Sequence, residues 1–349
     1  MKSLLFTLDY ELYGNGSGDV FKHIIEPTEQ ILSLANRYGI KFTLFFEVIE
    51  YWKLKEEWEK GNTMWYQQNP IEAMENQIRE ACRQGHDIQL HLHPQWVDGR
   101  WENGKWMVNA EKWRLGGYQG KGDNSLSNIL KRGKQTLEDL LTPVNPDYKC
   151  IAMRAGGFNI QPSGDIVKAM QEAGLKIDSS IYPGGKETGV YSHFDYTAIS
   201  PKVGLWETGT TLEIEGKSGI LELPIVAFPM LRLKKFMTWE RLKGFIRNRK
   251  AAQENLAAKT STTDKKSSKW DKVKYFFQTE WQTWDYCLFS PLLHKQFLKN
   301  INQQNRNIFV LVGHPKSYSG IRGMKYLLKE AEKNRYKFET VSEIWHQYK

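Results

Sequence analysis

An α/β fold, a distorted barrel of strand–helix units, is what this sequence predicts, and three observations predict it. Short apolar runs alternate with amphipathic stretches along most of the chain, the pattern of a parallel sheet with right-handed helical crossovers. Ionisable residues follow directly on five of the apolar runs, as expected where strand ends converge on one mouth. The 349 residues, 40% of them hydrophobic, suffice for one large core.

Leu4 to Leu8 reads as a buried strand, and Pro27 to Arg37 as the helix after it, with Pro27 suited to a first turn and Gly39 just past the end. Ile40 to Phe46 is rich in aromatic and β-favouring residues and predicts the second strand. From Pro70 to Gln84 a helix is signalled by Ile71, Met74, Ile78 and Ala81 on one face, with Gly85 able to close it. Strand Asp87 to Leu92 comes next. The pattern repeats with helix Leu126 to Leu141, strand Cys150 to Met153, helix Asp165 to Ala173 and strand Leu175 to Ile177. Toward the end come helix Leu292 to Asn302, strand Ile308 to Val312 and helix Met324 to Lys333.

We read the chain as a single domain, residues 1–349, with insertions at about 95–124, 182–222 and 232–274. The first carries Trp96, Trp101, Trp106 and Trp113 among glycines and charges, and the second reads as turns and short strands. The third is basic: between Arg232 and Lys274 fourteen Lys/Arg face four Asp/Glu, so the rest of a chain of net charge +9 is close to neutral. Within it, Trp239 to Lys250 suits an amphipathic helix, and Ala251 to Ser268 a polar linker. A solvated basic face is the ordinary explanation; peripheral contact with anionic lipid, or a hold on a pyrophosphate-bearing substrate, is the functional one.

No apolar run approaches the roughly 20 residues needed to cross a bilayer. The apolar start, Leu4 to Leu8, is broken by Thr7 and ended by Asp9, too short for a signal-peptide core. Cys82, Cys150 and Cys287 are widely spaced and odd in number, as for reduced core thiols. Together these predict a cytoplasmic protein. No nucleic-acid-binding module accompanies the basic charge, so nucleic acid is not an expected partner.

The five strand-end groups are Asp9-Tyr10-Glu11, His91-Leu92-His93-Pro94, Arg154-Ala155-Gly156-Gly157-Phe158, Asp178-Ser179-Ser180 and Gly313-His314-Pro315. Taken singly, each has an ordinary structural explanation. Two histidines on one side of a buried strand are harder to explain without partners. In order and context the five segments, from Leu4 to about Lys316, resemble the motifs of the polysaccharide deacetylase family, carbohydrate esterases that include chitin and peptidoglycan deacetylases.

The resemblance implies a distorted barrel of the deacetylase type, with Asp9 as general base, Arg154 orienting it, His314 as general acid and Asp178 tuning that acid. The family usually places a metal-binding aspartate directly after the first; here that position is Tyr10, and Glu11 is the nearest carboxylate able to serve, with Asp9 itself an alternative ligand. The family's second histidine lies four residues after His91, where this chain has Gln95, so His93 is the substitute. Glu11, His91 and His93 then form the ligand set of one divalent transition metal, zinc being the first expectation and others remaining open. His86, at the other end of its strand, reads as structural. Tyr10, Phe158 and Trp96 are the candidate substrate contacts, although packing is the ordinary role of all four loop tryptophans.

The implied function is removal of an N-acyl group, acetyl or formyl, from an aminosugar in a glycan or in a lipid-linked or nucleotide-linked precursor, as in lipopolysaccharide or capsule synthesis. Two alternatives stay open. One is a catalytically weak glycan-binding protein on the same barrel; the other is a glycoside hydrolase using paired carboxylates.

Overall fold

The computed structural model describes residues 1–231 and 277–348. Its centre is a curled parallel sheet of seven strands: β1 (Ser3–Tyr10), β2 (Thr43–Glu47), β3 (Asp87–Leu92), β4 (Ala152–Ala155), β5 (Ile177–Asp178), β6 (Leu221–Glu222) and β7 (Ile308–Gly313). Their spatial order is β6-β5-β4-β3-β2-β1-β7, every neighbouring pair parallel. Trp206–Glu207 adds an antiparallel edge beside β6, and Lys337–Phe338 lies along the start of β1.

The sheet curls into a half-barrel that no continuous ladder closes. Between β6 and β7 the gap is crossed by an isolated bridge from Ile225 to Val310, with the Val226 N–H on the Val310 carbonyl at 2.8 Å. Two residues further along the same edge of β7, Asp285 bridges Val312. The expected distorted barrel is thus an open curl whose seam is held by single bridges.

Helices α1 (Glu26–Arg37), α2 (Val48–Glu59), α3 (Pro70–Arg83), α4 (Leu126–Leu141), α5 (Gly164–Ala173), α6 (Pro291–Asn302), α7 (Ile321–Lys333) and α8 (Val341–Tyr348) accompany the sheet. The Asn69 side chain accepts the Ile71 and Glu72 amides at the start of α3 while Pro70 opens its first turn, a cap worth about 1 kcal/mol. Ile71, Met74, Ile78 and Ala81 are buried together as the apolar spacing predicts. The two isoleucines and the methionine each contribute roughly 1.5–3 kcal/mol when fully buried.

Three boundaries depart from the sequence reading. The second strand begins at Thr43 rather than Ile40, because the Phe42 N–H is taken by His86 Nδ1 at 3.0 Å instead of a ladder partner. Strands β4 and β5 lie two residues later than expected, which puts Arg154 and Asp178 inside strands. Helix α2 is absent from the sequence reading; its cap is Glu47, an uncommon cap residue, whose Oε1 accepts the Ile49 and Glu50 amides.

The expected insertions hold two hairpins, Arg100–Glu102 with Lys105–Met107 and Lys186–Thr188 with His193–Asp195. The basic segment, its expected helix at Trp239 to Lys250 and the linker at Ala251 to Ser268 lie outside the described residues. Among the described residues no helix is long and apolar enough to cross a membrane.

Candidate active site

Strands β2 and β3 lie between Asp9 on β1 and Arg154 on β4, yet Arg154 Nη1 reaches Asp9 Oδ1 at 2.6 Å. A flat sheet cannot bring side chains from strands that far apart together, so this contact depends on the curl. The same nitrogen donates to Thr7 Oγ1 at 2.8 Å, Nε and Nη2 bond the carbonyl and hydroxyl of Ser179, and the guanidinium sits 4.2 Å from the Phe45 ring centroid. Arg154 is fully buried and held on every side. Burial pushes the Asp9 carboxyl up, but Arg154, with His91 and His314, more than offsets that and leaves it below the ordinary range.

Glu11 follows two residues on and turns to the same side. Its Oε2 lies 2.5 Å from His93 Nε2 and 3.5 Å from His91 Nε2, while Oε1 accepts from Lys316 Nζ at 2.7 Å. Against the cost of burial, Lys316 and the two imidazoles hold this carboxyl well below its usual range. His91 Nδ1 faces the Arg154 carbonyl at 2.9 Å, so it carries the ring proton and leaves Nε2 as a lone pair. The His93 ring packs on Gly156, where a Cβ would lie 2.2 Å from ring carbon Cε1; only glycine leaves room for it.

Glu11, His91 and His93 each offer a ligand atom within 4.8 Å of the others, and the Nε2 atoms of both histidines are buried and face the Glu11 carboxylate. Two such nitrogens beside an ionised carboxylate fit a divalent cation. Asp9, Glu11 and His314 form a second, overlapping group of donors.

On the far side of Asp9 stands His314, its Nε2 3.5 Å from Asp9 Oδ2 and 3.9 Å from Glu11 Oε1. Its Nδ1 lies 3.0 Å from Asp285 Oδ2. Burial lowers the imidazole pKa, but the bond and charge of Asp285, with Asp9 beyond, raise it above the ordinary value. When protonated, the ring has one N–H on Asp285 and the other toward Asp9.

Four expectations need correction or refinement. The Tyr10 side chain points to the opposite face, stacked on Phe46 with its hydroxyl on Gln77 of α3, because strand alternation reverses it relative to Asp9. Trp96 is buried at 1% exposure against Trp106, so it packs the loop and presents no face to a substrate. Asp178 makes no contact with His314. Ser179 faces Arg154, so its neighbour Asp178 turns away and bonds Ser180 and Glu222 instead. Phe158 is half-buried in the turn after β4, edge-on to Tyr182 at 5.0 Å, with a left-handed φ of 64°. His86 Nδ1 accepts the Phe42 N–H, and burial pushes this imidazole down to about 4.

Several residues of this centre escaped the sequence reading. Asp285 takes the place given to Asp178, and its only signal is an acid set between the aromatics Trp284 and Tyr286. Lys316 stands two residues past His314, the same-side spacing used to choose His93. Glu50, which accepts the Leu12 N–H, is pushed up to about 8 by burial, and Glu47 is raised well above its usual range by burial with Glu50 and Glu11 nearby.

No family model matches the sequence, and no curated protein matches it. Solved structures do. A GH57-type branching enzyme from the archaeon Pyrococcus horikoshii is similar at a TM-score of 0.51 and 12% identity, over 100% of this chain and 71% of that one. A Mycobacterium smegmatis protein assigned as a polysaccharide deacetylase gives a TM-score of 0.45 and 13% identity, over 99% and 89%. The polysaccharide deacetylase of Bacillus cereus gives 0.35 and 10%, over 97% and 92%. At such identities the likeness to the Pyrococcus enzyme concerns the fold alone: this chain shares its α/β barrel-type architecture.

Proposed function

We propose that this protein, acting as one domain, is a metal-assisted hydrolase that removes an N-acyl group from an aminosugar. The observation that carries the reading is the meeting of two oriented pairs, Asp9 with Arg154 and His314 with Asp285, 3.5 Å apart beside the Glu11, His91 and His93 donors.

A divalent cation held by Glu11, His91 and His93 would supply Lewis acidity to the acyl carbonyl. Asp9, kept ionised by Arg154, accepts the proton of the attacking water. His314, kept protonated by Asp285, donates to the departing amine nitrogen. Proton acceptor and proton donor thus stand side by side at one mouth, as amide hydrolysis requires. Phe158, at the rim, is the remaining candidate for substrate contact.

Glycoside hydrolysis by Asp9 and Glu11 would need one of the two to be a protonated acid. Both are held below the ordinary carboxyl range, and the raised group facing Asp9 is an imidazole, which favours the amide reading; the raised carboxyls nearby, Glu47 and Glu50, accept backbone amides.

The test is incubation of the full chain with N-acetyl and N-formyl aminosugar oligomers and lipid-linked aminosugars, following free carboxylic acid and new reducing ends separately. Release of acid that is lost with chelator and restored by zinc is expected. New reducing ends without acid would replace this reading by the glycosidase one.

A further inference from the structure

Gln95 stands two residues after His93, fully buried, and its amide is the group in contact with the other ring nitrogen, His93 Nδ1, at 2.8 Å. The same amide atom lies 3.2 Å from the Gly14 carbonyl oxygen. A carbonyl accepts only from an N–H, so that atom is the amide nitrogen, and Gln95 donates to Nδ1 as well. A ring nitrogen that accepts has no proton of its own. The proton of neutral His93 then sits on Nε2, the atom 2.5 Å from Glu11 Oε2. The amide oxygen meanwhile is buried without a hydrogen bond. His91 has the reverse arrangement, with its Nδ1 on the Arg154 carbonyl and its Nε2 open.

We infer that Gln95 is a positioning residue that holds His93 in the tautomer less suited to a cation, so that ligation through His93 requires the Gln95 amide to turn over. The inference rests on the cation reading given above. When the amide turns, its oxygen faces Nδ1; the ring proton moves from Nε2 to Nδ1 and bonds that oxygen, the ring stays neutral, and the Nε2 lone pair is released. The opposing force is the Gly14 carbonyl, which then faces an oxygen. Gln95 thereby makes uptake at His93 weaker than at an imidazole whose second nitrogen already donates to an acceptor, the arrangement that raises ligand basicity.

The experiment uses the full chain, with zinc as the probe. Long-range 1H–15N spectra of histidine-labelled, metal-free protein should show His93 as the Nε2–H tautomer, its signals assigned by their loss in His93→Gln. Gln95→Glu places an obligate acceptor against Nδ1. It should switch the spectrum to Nδ1–H and tighten zinc binding, measured by calorimetry, by about ten- to a hundredfold. Gln95→Leu, which keeps bulk without a donor, should fall between. A native spectrum showing Nδ1–H, or a Gln95→Glu protein that binds zinc no more tightly than the native chain, overturns the inference. Tightening without a tautomer change reflects added charge alone and overturns it equally. Failure of native and variant proteins to take up zinc, with the native tautomer as expected, overturns the cation reading itself.

Discussion

On the inner face of the curl, Asp9 and Glu11 are ringed by Arg154, Lys316, His91, His93 and His314, and both carboxyls lie below the ordinary range. Four to five strands from β1, Asp178 and Glu222 stand in register, bonded to Ser180, the Ile181 amide and each other, and both are raised. All four side chains are buried. Burial drives a carboxyl toward its neutral form, and in the second pair it prevails, with the Asp178 charge adding to it at Glu222. The first pair shows where this sequence has placed positive charge to keep anions inside the protein. Folding has no need of such an arrangement, and chemistry does.

The largest expected effects break the charged cluster. His314→Ala should lower kcat/KM on the aminosugar substrate by about 10²–10⁴-fold with little change in thermal unfolding, because only the proton donor is removed. Asp9→Asn should lose at least as much activity and, unlike His314→Ala, should also destabilise the fold by about 3–5 kcal/mol, since it leaves Arg154 buried without its counter-charge. Equal stability of Asp9→Asn and native protein in urea unfolding would mean that this pair is not the buried ion pair described.

An intermediate effect is expected at Asp285. Its carboxylate raises the His314 pKa, so Asp285→Asn should lower it and move the alkaline limb of the kcat–pH profile to lower pH, with the acidic limb little changed. An unshifted alkaline limb would remove Asp285 from the proton donor.

The uncompensated pair predicts a smaller effect of the opposite sign. Glu222 is raised in the fold, so the folded chain keeps a proton that the unfolded chain has lost. Its contribution is complete below the ordinary carboxyl range and declines as pH rises toward the folded pKa. Glu222→Gln, neutral at every pH, should flatten that decline and stabilise the protein by about 1 kcal/mol at alkaline pH, read by urea unfolding at two pH values. Smallest of all, Tyr10→Phe should cost about 1 kcal/mol through its bond to Gln77 and leave activity unchanged.

Local pattern was enough to place most elements. Helix α3 carries its cap, its proline and its apolar stripe in consecutive residues, and β7 is a plain apolar run; neither depends on distant contacts for recognition. Alternation also placed Asp9 with Glu11 and His91 with His93, because residues two apart on a strand share a face whatever surrounds them. Tyr10 and Asp178 were chosen without that rule, and it explains why both miss the site. Each adjoins a functional position, and a single step along a strand reverses the face. Helix α2 was hidden because its cap is a glutamate that elsewhere reads as an ordinary surface charge.

By itself, then, the sequence determined an alternating α/β architecture and a set of acids and imidazoles at strand ends, since propensity and periodicity are properties of neighbouring residues. Tertiary structure decided which of them meet. Asp285 reaches His314 because the segment after Thr283 bridges Val312, and Arg154 reaches Asp9 because the sheet curls across two intervening strands. Such contacts join residues 29 and 145 positions apart, and a separation of that kind leaves no periodic trace along the chain.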